Sequence, residues 1–516
     1  MISPVNFYNP IGYINFRGKD GNAEAPKSEQ KKTASASIFY INDLHGNINN
    51  MSRIYNAKNT FDRLDHKGQD VFCLASGDIS AGANPSVVKL SSTFLNSINL
   101  DLNTMGNHEF DAIPSEIYDI NKDAKYKLLG LNIKYSNEDN PLPSLISGSV
   151  VKEINGNKYG IIGLIPPDLH SCIRDNESKK TVTPLNEDDT LAIVQKEVDK
   201  LQKEGVNKIL VLSHCGLDFD KQMAQKTSGI DVIMGAHTHD LLKNIKVNEN
   251  LFNSKTNEPV IITQAGRDGE NFGILNVEFD ENGIIKSAQN NVQSSKNFSK
   301  NQVMEEIFNT ILNKKRVVGE VKSTLPPVKD RLANPNPHGF IIADACKNEF
   351  GTDIAMLNSG NIRGCFTEGI LTERKLFEIT PFDNKMVKMK ITEEELVNAV
   401  KAGARSINKK GHRAGLIIPS GFEYTLTHDG EVKSLTFIDK NGNKIPVDIN
   451  NPDKNKIYTL ATDDFMASGG ENLLPDKSAE IDAIYNFDKD TLAGDYIQKL
   501  GKPVEIVDDG RVKFVD

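Results

Sequence analysis

The chain has 516 residues, 38% hydrophobic and 25% charged, which fits a soluble globular protein too long for one hydrophobic core. Its 61 basic and 70 acidic residues leave a net charge of −9, which argues against nonspecific binding to DNA or RNA but not against a small anion held in one cleft. Five scattered cysteines (Cys73, Cys172, Cys215, Cys346, Cys365) lack C-x-x-C spacing and are odd in number, so no disulfide framework is expected; no apolar run is long enough to span a bilayer.

Residues 1–36 open without a continuous apolar segment or a small-residue cleavage site, and "KDGNAEAPKSEQKKTASA" is polar; they read as a disordered leader with no recognisable export signal. From Ser37 strands alternate with amphipathic helices. "SIFYIN" is a short apolar strand, "MSRIYNAKNTFDRL" has helical spacing, "DVFCLASG" is a strand and "PSVVKLSSTFLNSI" a helix. "YKLLGLNI", "KYGIIGLI", the helix "TLAIVQKEVDKLQKEG", "KILVLS" and "DVIMGA" continue the pattern, which predicts a layered α/β domain over 37–299. "FGILNVEFDENGIIKSAQ" closes it as two antiparallel strands turning at Asn282-Gly283. The helix "NQVMEEIFNTILNKKRVV" and the Pro-rich stretch after it place a linker and hinge at 300–325. Residues 326–516 read as a smaller α+β domain, from "FIIADACKNEF" through "KMKITEEELVNAV" and "IYTLATDDF" to "GRVKFV".

The strands of the first domain share one feature. Each ends in groups able to donate O or N: Asp43 and His45, Asp78, Asn107 and His108 with Asp111 following, His214, and finally His237 and His239. Carboxyl ends of strands in an open α/β sheet line one crevice. Five of the ten histidines fall in these motifs. Singly each is an ordinary polar turn; five in order at five strand ends is a set. If its strand continues, His-Thr-His sends His237 and His239 to one face.

"INDLHGN", "SGDIS", "GNHEFD", "LSHCG" and "GAHTH" resemble the five motifs of the calcineurin-like metallophosphoesterases. With "LNSGNIRG", "ITPFDN" and "DFMASGGEN" in the second half, the chain from residue 37 onward resembles the bacterial 5′-nucleotidase family, which includes 2′,3′-cyclic-nucleotide phosphodiesterases and UDP-sugar hydrolases. The resemblance implies an N-terminal α/β/β/α metallophosphoesterase domain and a C-terminal substrate-binding domain. It implies two divalent ions (Zn, Mn, Co or Fe), one on Asp43, His45, Asp78 and His239, the other on Asp78, Asn107, His214 and His237. Two such ions neutralise phosphoryl charge and lower the pKa of a bridging water, and Asp78 would serve both. His108, oriented by Asp111, would stabilise the transition state or the leaving oxygen without binding metal. Cys215 is expected to turn away from the site.

In the second half, Asn358 and Arg363 of "LNSGNIRG" flank a Gly-containing turn that could let backbone approach a ligand; the resemblance makes Arg363 the phosphate contact and Arg331, ahead of "HGFIIADA" where the spacing is ambiguous, another substrate arginine. Phe382 and Phe465 match two aromatics that sandwich the base. Glu471 stands where the family has the Asp that contacts ribose, and Asn361 where many relatives have Gly.

The expected function is hydrolysis of nucleoside 5′-monophosphates to nucleoside and phosphate by a metal-activated water. Cyclic-nucleotide phosphodiesterase, 3′-nucleotidase and UDP-sugar hydrolase activities are the alternatives on the same site. A sulfur-compound hydrolase is disfavoured by the two aromatics, and an inert nucleotide-binding module by the complete motif set. The expected partner is a nucleotide, with neither nucleic acid nor membrane; the oligomeric state is open. The family is commonly periplasmic or extracellular, and cytoplasmic residence stays open.

Overall fold

The computed structural model describes residues 14–15, 33–82, 84–136, 138–173, 176–382, 384–409, 413–485 and 488–516. The chain divides into two compact units, the first made almost wholly from segments before Leu312 and the second chiefly of Leu312–Asp516. The break falls at the end of the helix Gln302–Leu312, within the stretch read as linker.

The first unit is built on two stacked sheets. One carries the strands Ile285–Ser294, Asn271–Phe279, Ala34–Ile41, Asp70–Ala75 and Leu102–Thr104 side by side, the last three parallel. The other sets Pro259–Thr263, Val232–Met234, Ile209–Ser213 and Asn157–Leu164 in parallel. Ile38, Leu74 and Leu102 of the first sheet bury with Ile161, Leu210, Leu212 and Met234 of the second in one core. The outer face of the second sheet packs Ile162, Val211 and Ile233 with Val194, Val198 and Met223 of the helices Glu187–Lys203 and Leu217–Lys226. Parallel strands buried on both faces need the unbroken apolar runs that the sequence has.

Several sequence expectations need adjustment. Most of the presumed leader lies outside the described residues, but the first long strand begins at Ala34, three residues inside it, and Ile14–Asn15 pairs with Ala288 and Ser287. The Asn282-Gly283 turn is wider than two residues: Asp280 N donates to Ile284 O, and only Gly283 takes the left-handed conformation, at φ +91°. No disulfide joins the five cysteines, and no described helix is long and apolar enough to cross a membrane.

The second unit is α+β. Its five-stranded sheet runs Ile417–Ser420, Ile354–Asn358, Ile457–Asp463, Met386–Thr392 and Ile481–Tyr485. The helices Phe340–Phe350 and Glu393–Ala404 contribute Ile342, Ala345, Leu396 and Val400 to its core. Thr392 and Glu395 form a capping box that starts the second helix directly after its strand.

Candidate functional site

The strand ends of the first unit converge as expected, but the backbone does so under strain. Asp43 (φ +50°), His45 (+48°), Asp78 (+52°), His237 (+75°) and His239 (+62°) all take left-handed conformations. Non-glycine residues rarely do so, though Asp and His do so more often than most, and a cluster of five marks a functional site. The loops after the first two parallel strands are zipped together: Asp43 N donates to Gly77 O, His45 N to Asp78 O and Gly46 N to Ile79 O. Gly77 and Gly106 let these loops approach closely, since a Cβ at Gly106 would run into the Asp78 carboxylate.

The side chains meet in one buried cluster. Asp78 Oδ2 lies 3.5 Å from His45 Nε2 and 3.2 Å from His214 Nε2, while its Oδ1 accepts the His108 N–H at 2.8 Å. Asp43 Oδ1 lies 3.5 Å from His239 Nε2 and 3.9 Å from both His45 and His214. Asp43 groups with His45 and His239, and again with Asp78 and His214, each set presenting N and O donors within 4.8 Å of one another. The His237 ring centroid is 5.1 Å from that of His214, yet its Nε2 faces Asp168 Oδ1 at 3.3 Å. Strand alternation does not orient the His-Thr-His pair, because the strand stops at Met234. His237 is instead fixed through its own N–H, 3.2 Å from each Asp43 carboxylate oxygen. Cys215 Sγ donates to Ile165 O at 3.2 Å, engaged elsewhere.

Two of these imidazoles have their tautomer set. His214 Nδ1 lies 2.7 Å from Ser76 O, and a carbonyl can only accept, so Nδ1 is the donor and Nε2 faces the cluster. His45 Nδ1 lies 3.1 Å from Asp268 Oδ1 with the same consequence. His108 stands beside the cluster, its ring centroid 5.3 Å from that of His45, with Nδ1 2.6 Å from Asp111 Oδ2. Charge is correspondingly perturbed. Burial raises Asp43 to about 7, whereas His214 and His108 outweigh burial at Asp78 and hold it well below the usual carboxylate range. Burial alone would lower His214, but the Asp78 and Asp43 carboxylates raise it to about 10.

In the second unit the remaining sequence candidates sit on neighbouring loops. Arg363 N donates to Ile379 O at 2.7 Å, and its guanidinium carbon lies 5.2 Å from the Phe382 ring centroid. Arg331 and Asn358 are brought near each other by Leu416, whose N–H donates to Leu332 O and whose carbonyl accepts from Ser359 N. Arg331 and Phe382 are buried and Phe465 half-buried. Gly470 lets the chain fold back on Phe465, since a Cβ there would meet the ring at 2.7 Å. Glu471 follows in the left-handed region at φ +58°.

Residues 36–241 match the calcineurin-like phosphoesterases, and residues 317–476 match the 5′-nucleotidase C-terminal domain. The chain belongs to the 5′-nucleotidase family of calcineurin-like phosphoesterases. It is 28% identical to human 5′-nucleotidase over 82% of this chain and 78% of that protein. It is 25% identical to the apyrase of Anopheles gambiae over 93% of this chain and 90% of the relative. The trifunctional nucleotide phosphoesterase YfkN of Bacillus subtilis is 24% identical over 96% of this chain, which spans only 36% of that longer protein. The fold matches a 5′-nucleotidase precursor from Thermus thermophilus with a TM-score of 0.78 at 24% identity, over 93% of this chain and 99% of the other. It also matches the sulfate thiohydrolase SoxB of that organism, with a TM-score of 0.71 at 15% identity over 96% and 98%.

As a member of this family the chain is a metal-dependent phosphoric ester hydrolase, and its donor set fits divalent ions. Asn107 Oδ1 is a buried atom without a hydrogen-bond partner, a costly state that a cation relieves. Imidazole, carboxylate and amide donors together suit first-row transition ions better than Ca or Mg.

Two residues that sequence reasoning missed hold this centre in shape. Glu109 accepts backbone N–H groups of Asp78 (2.9 Å), Ile79 (2.8 Å), Ser80 (3.3 Å) and Gly106 (2.7 Å), tying the loops that carry Asp78 and Asn107. Asp268 orients His45 and donates its own N–H to Asp43 O. "GNHEFD" contained Glu109 in plain view, but Asp268 in "GRDG" carries no mark that separates it from a turn residue.

Proposed function

We propose that this chain hydrolyses nucleoside 5′-monophosphates to nucleoside and phosphate, using a pair of divalent ions that share Asp78. The observation that carries this reading is the placement of Asp78 Oδ2 between two imidazoles whose Nε2 atoms face it, with the His108–Asp111 pair alongside. Asp43, His45, Asp78 and His239 would hold one ion, and Asp78, Asn107, His214 and His237 the other. Bound there, the ions would neutralise the phosphoryl charge and activate water. His108, its Nδ1 held by Asp111, presents Nε2 to the leaving oxygen and stabilises the charge or passes the proton that develops there. Arg331, Asn358 and Arg363 meet the anionic end of the nucleotide, Phe382 and Phe465 stack the base, and Glu471 meets the ribose. Asn358 Oδ1, buried without a hydrogen-bond partner, supports a ligand-binding role for that loop.

The relatives' names support a nucleotide substrate and leave its form to experiment. Phosphate release from 5′-, 3′- and 2′,3′-cyclic nucleotides and from UDP-glucose, with metal content measured on the same sample, tests the reading. The expected result is a preference for 5′-monophosphates with two ions per chain. Cleavage of the cyclic nucleotide or the UDP-sugar, with 5′-monophosphates untouched, refutes it.

A further inference from the structure

Lys489 lies outside every motif the sequence offers and beyond residues 317–476. It is the first residue of the helix Lys489–Leu500, where a cation opposes the helix dipole, and its side chain is fully buried. Two local costs at one residue call for a compensating partner. Lys489 Nζ donates to Asp463 Oδ2 at 2.8 Å and to Asn384 Oδ1 at 3.2 Å, and Asp463 is as completely buried as the lysine.

The partners extend the contact to three loops. Asp463 Oδ2 also accepts from Asn361 Nδ2 at 2.7 Å, and its Oδ1 caps the short helix Asp464–Ala467 through Met466 N at 2.9 Å. Asn384 Nδ2 donates to Asp464 Oδ1 at 3.2 Å, and Asp464 N donates to Lys385 O. Three of the proposed nucleotide-reading residues stand two positions from a member of this network: Arg363 after Asn361, Phe382 before Asn384, Phe465 after Asp463. Asn361 is the residue that joins its loop to the buried pair.

We propose that Lys489 is a positioning residue that, through Asp463, Asn361 and Asn384, fixes the three loops carrying Arg363, Phe382 and Phe465 in one mutual geometry. Its effect on substrate rests on the nucleotide-binding reading given above; its effect on the loops does not. The lysine touches no substrate. It supplies a buried positive charge that lets Asp463 stay buried while accepting from Asn361 and from Met466 N.

The test uses the full-length, metal-loaded chain with Lys489→Met, and with Lys489→Met/Asp463→Asn, which leaves no unpaired buried charge should the single variant fold poorly. Hydrogen exchange is read on peptides spanning Asn361, Asn384 and Asp463, with the strand Phe422–Leu426 as the internal reference. Steady-state constants for a 5′-nucleotide and metal content are measured on the same preparations. In both variants all three peptides should exchange at least several-fold faster than in the parent, with the reference strand unchanged. KM should rise on the order of tenfold, kcat should stay within about twofold and metal content should match the parent. Unchanged exchange in the three peptides overturns the proposal whatever the substrate proves to be. Unchanged KM in a parent enzyme that does turn over nucleotides overturns it as well. Faster exchange in all three peptides, in a chain whose parent hydrolyses no nucleotide, supports the positioning role and removes the nucleotide reading alone.

Discussion

Replacing Asp268 by Asn tests whether the residues behind the metal ligands set the strength of the site. Asp268 Oδ1 lies 3.1 Å from His45 Nδ1, and the residue is held in place by its own backbone: its N–H donates to Asp43 O and its carbonyl accepts Asn50 Nδ2 at 2.8 Å. At φ +54° the backbone is left-handed, which Asn tolerates and Ala does not, so Asn changes the charge while sparing the conformation. The amide oxygen still accepts from His45 but no longer makes its imidazole more basic. Loss of a carboxylate behind a metal-bound histidine costs about 10–100-fold in metal affinity, and the retained hydrogen bond puts Asp268→Asn at the lower end, about tenfold or about 1.4 kcal/mol. Asp268→Ala forfeits the hydrogen bond too and adds backbone strain, which moves it to about 100-fold. Competition against a chromophoric chelator, titrated with Zn or Mn, reads both constants. On the proposed two-ion assignment, the weakening should fall on the ion assigned to His45. Affinities within twofold of the parent in both variants would refute the view that Asp268 orients His45 for a cation.

His108→Ala removes a side chain that is paired with Asp111 and keeps the backbone N–H that Asp78 accepts; metal content should stay at the parent level while kcat falls by about 10²–10⁴-fold, and unchanged turnover rejects the acid–base role. Metal uptake should release protons, because burial raises Asp43 to about 7 and the Asp78 and Asp43 carboxylates raise His214 to about 10. Each lies above the ordinary value for its kind, so a falling pH adds protons that the cation must displace and affinity weakens. Calorimetry in buffers of different ionisation enthalpy should show net proton release on metal binding, with weaker affinity at lower pH; no buffer dependence would contradict the proton placement.

What could be read from the sequence is what periodicity and motif order encode. Apolar runs separated by amphipathic helices place Asp43, Asp78 and Asn107 after neighbouring strands of one sheet and His214 after a strand of the other, and the layered fold brings those ends together. The pairing of His108 with Asp111, three residues apart, was equally local. Alternation failed at His237 and His239, because it holds only while the strand runs, and here the strand stops at Met234 and the chain turns left-handed. Nothing in "GAHTH" announces that turn; it depends on Asp43, nearly two hundred positions earlier, accepting the His237 N–H. Glu109, Asp268 and Lys489 were unreadable for a related reason. A carboxylate in a turn or a lysine at the start of a helix is ordinary in sequence, and only distant backbone N–H groups or a distant buried acid reveal its use.

The left-handed residues also bear on how the centre is maintained without an ion. Each such conformation costs roughly 1–2 kcal/mol, less for Asp than for His, so the five ligand positions store several kcal/mol between them. The protein itself supplies hydrogen bonds that fix this backbone. Glu109 gathers the N–H groups of Asp78, Ile79 and Gly106, and Asn42 joins Gly266 O to Ala265 N. Asp268 N and His237 N both close on Asp43. These bonds predict that the donors are placed before a metal binds, so that a cation relieves buried, partnerless atoms such as Asn107 Oδ1; hydrogen exchange on the chelator-treated protein checks it. The consequence is a metal-free protein whose strand-end loops stay ordered. By the same logic, cutting the Glu109 contacts loosens the Asp78 loop even when both ions are supplied in excess.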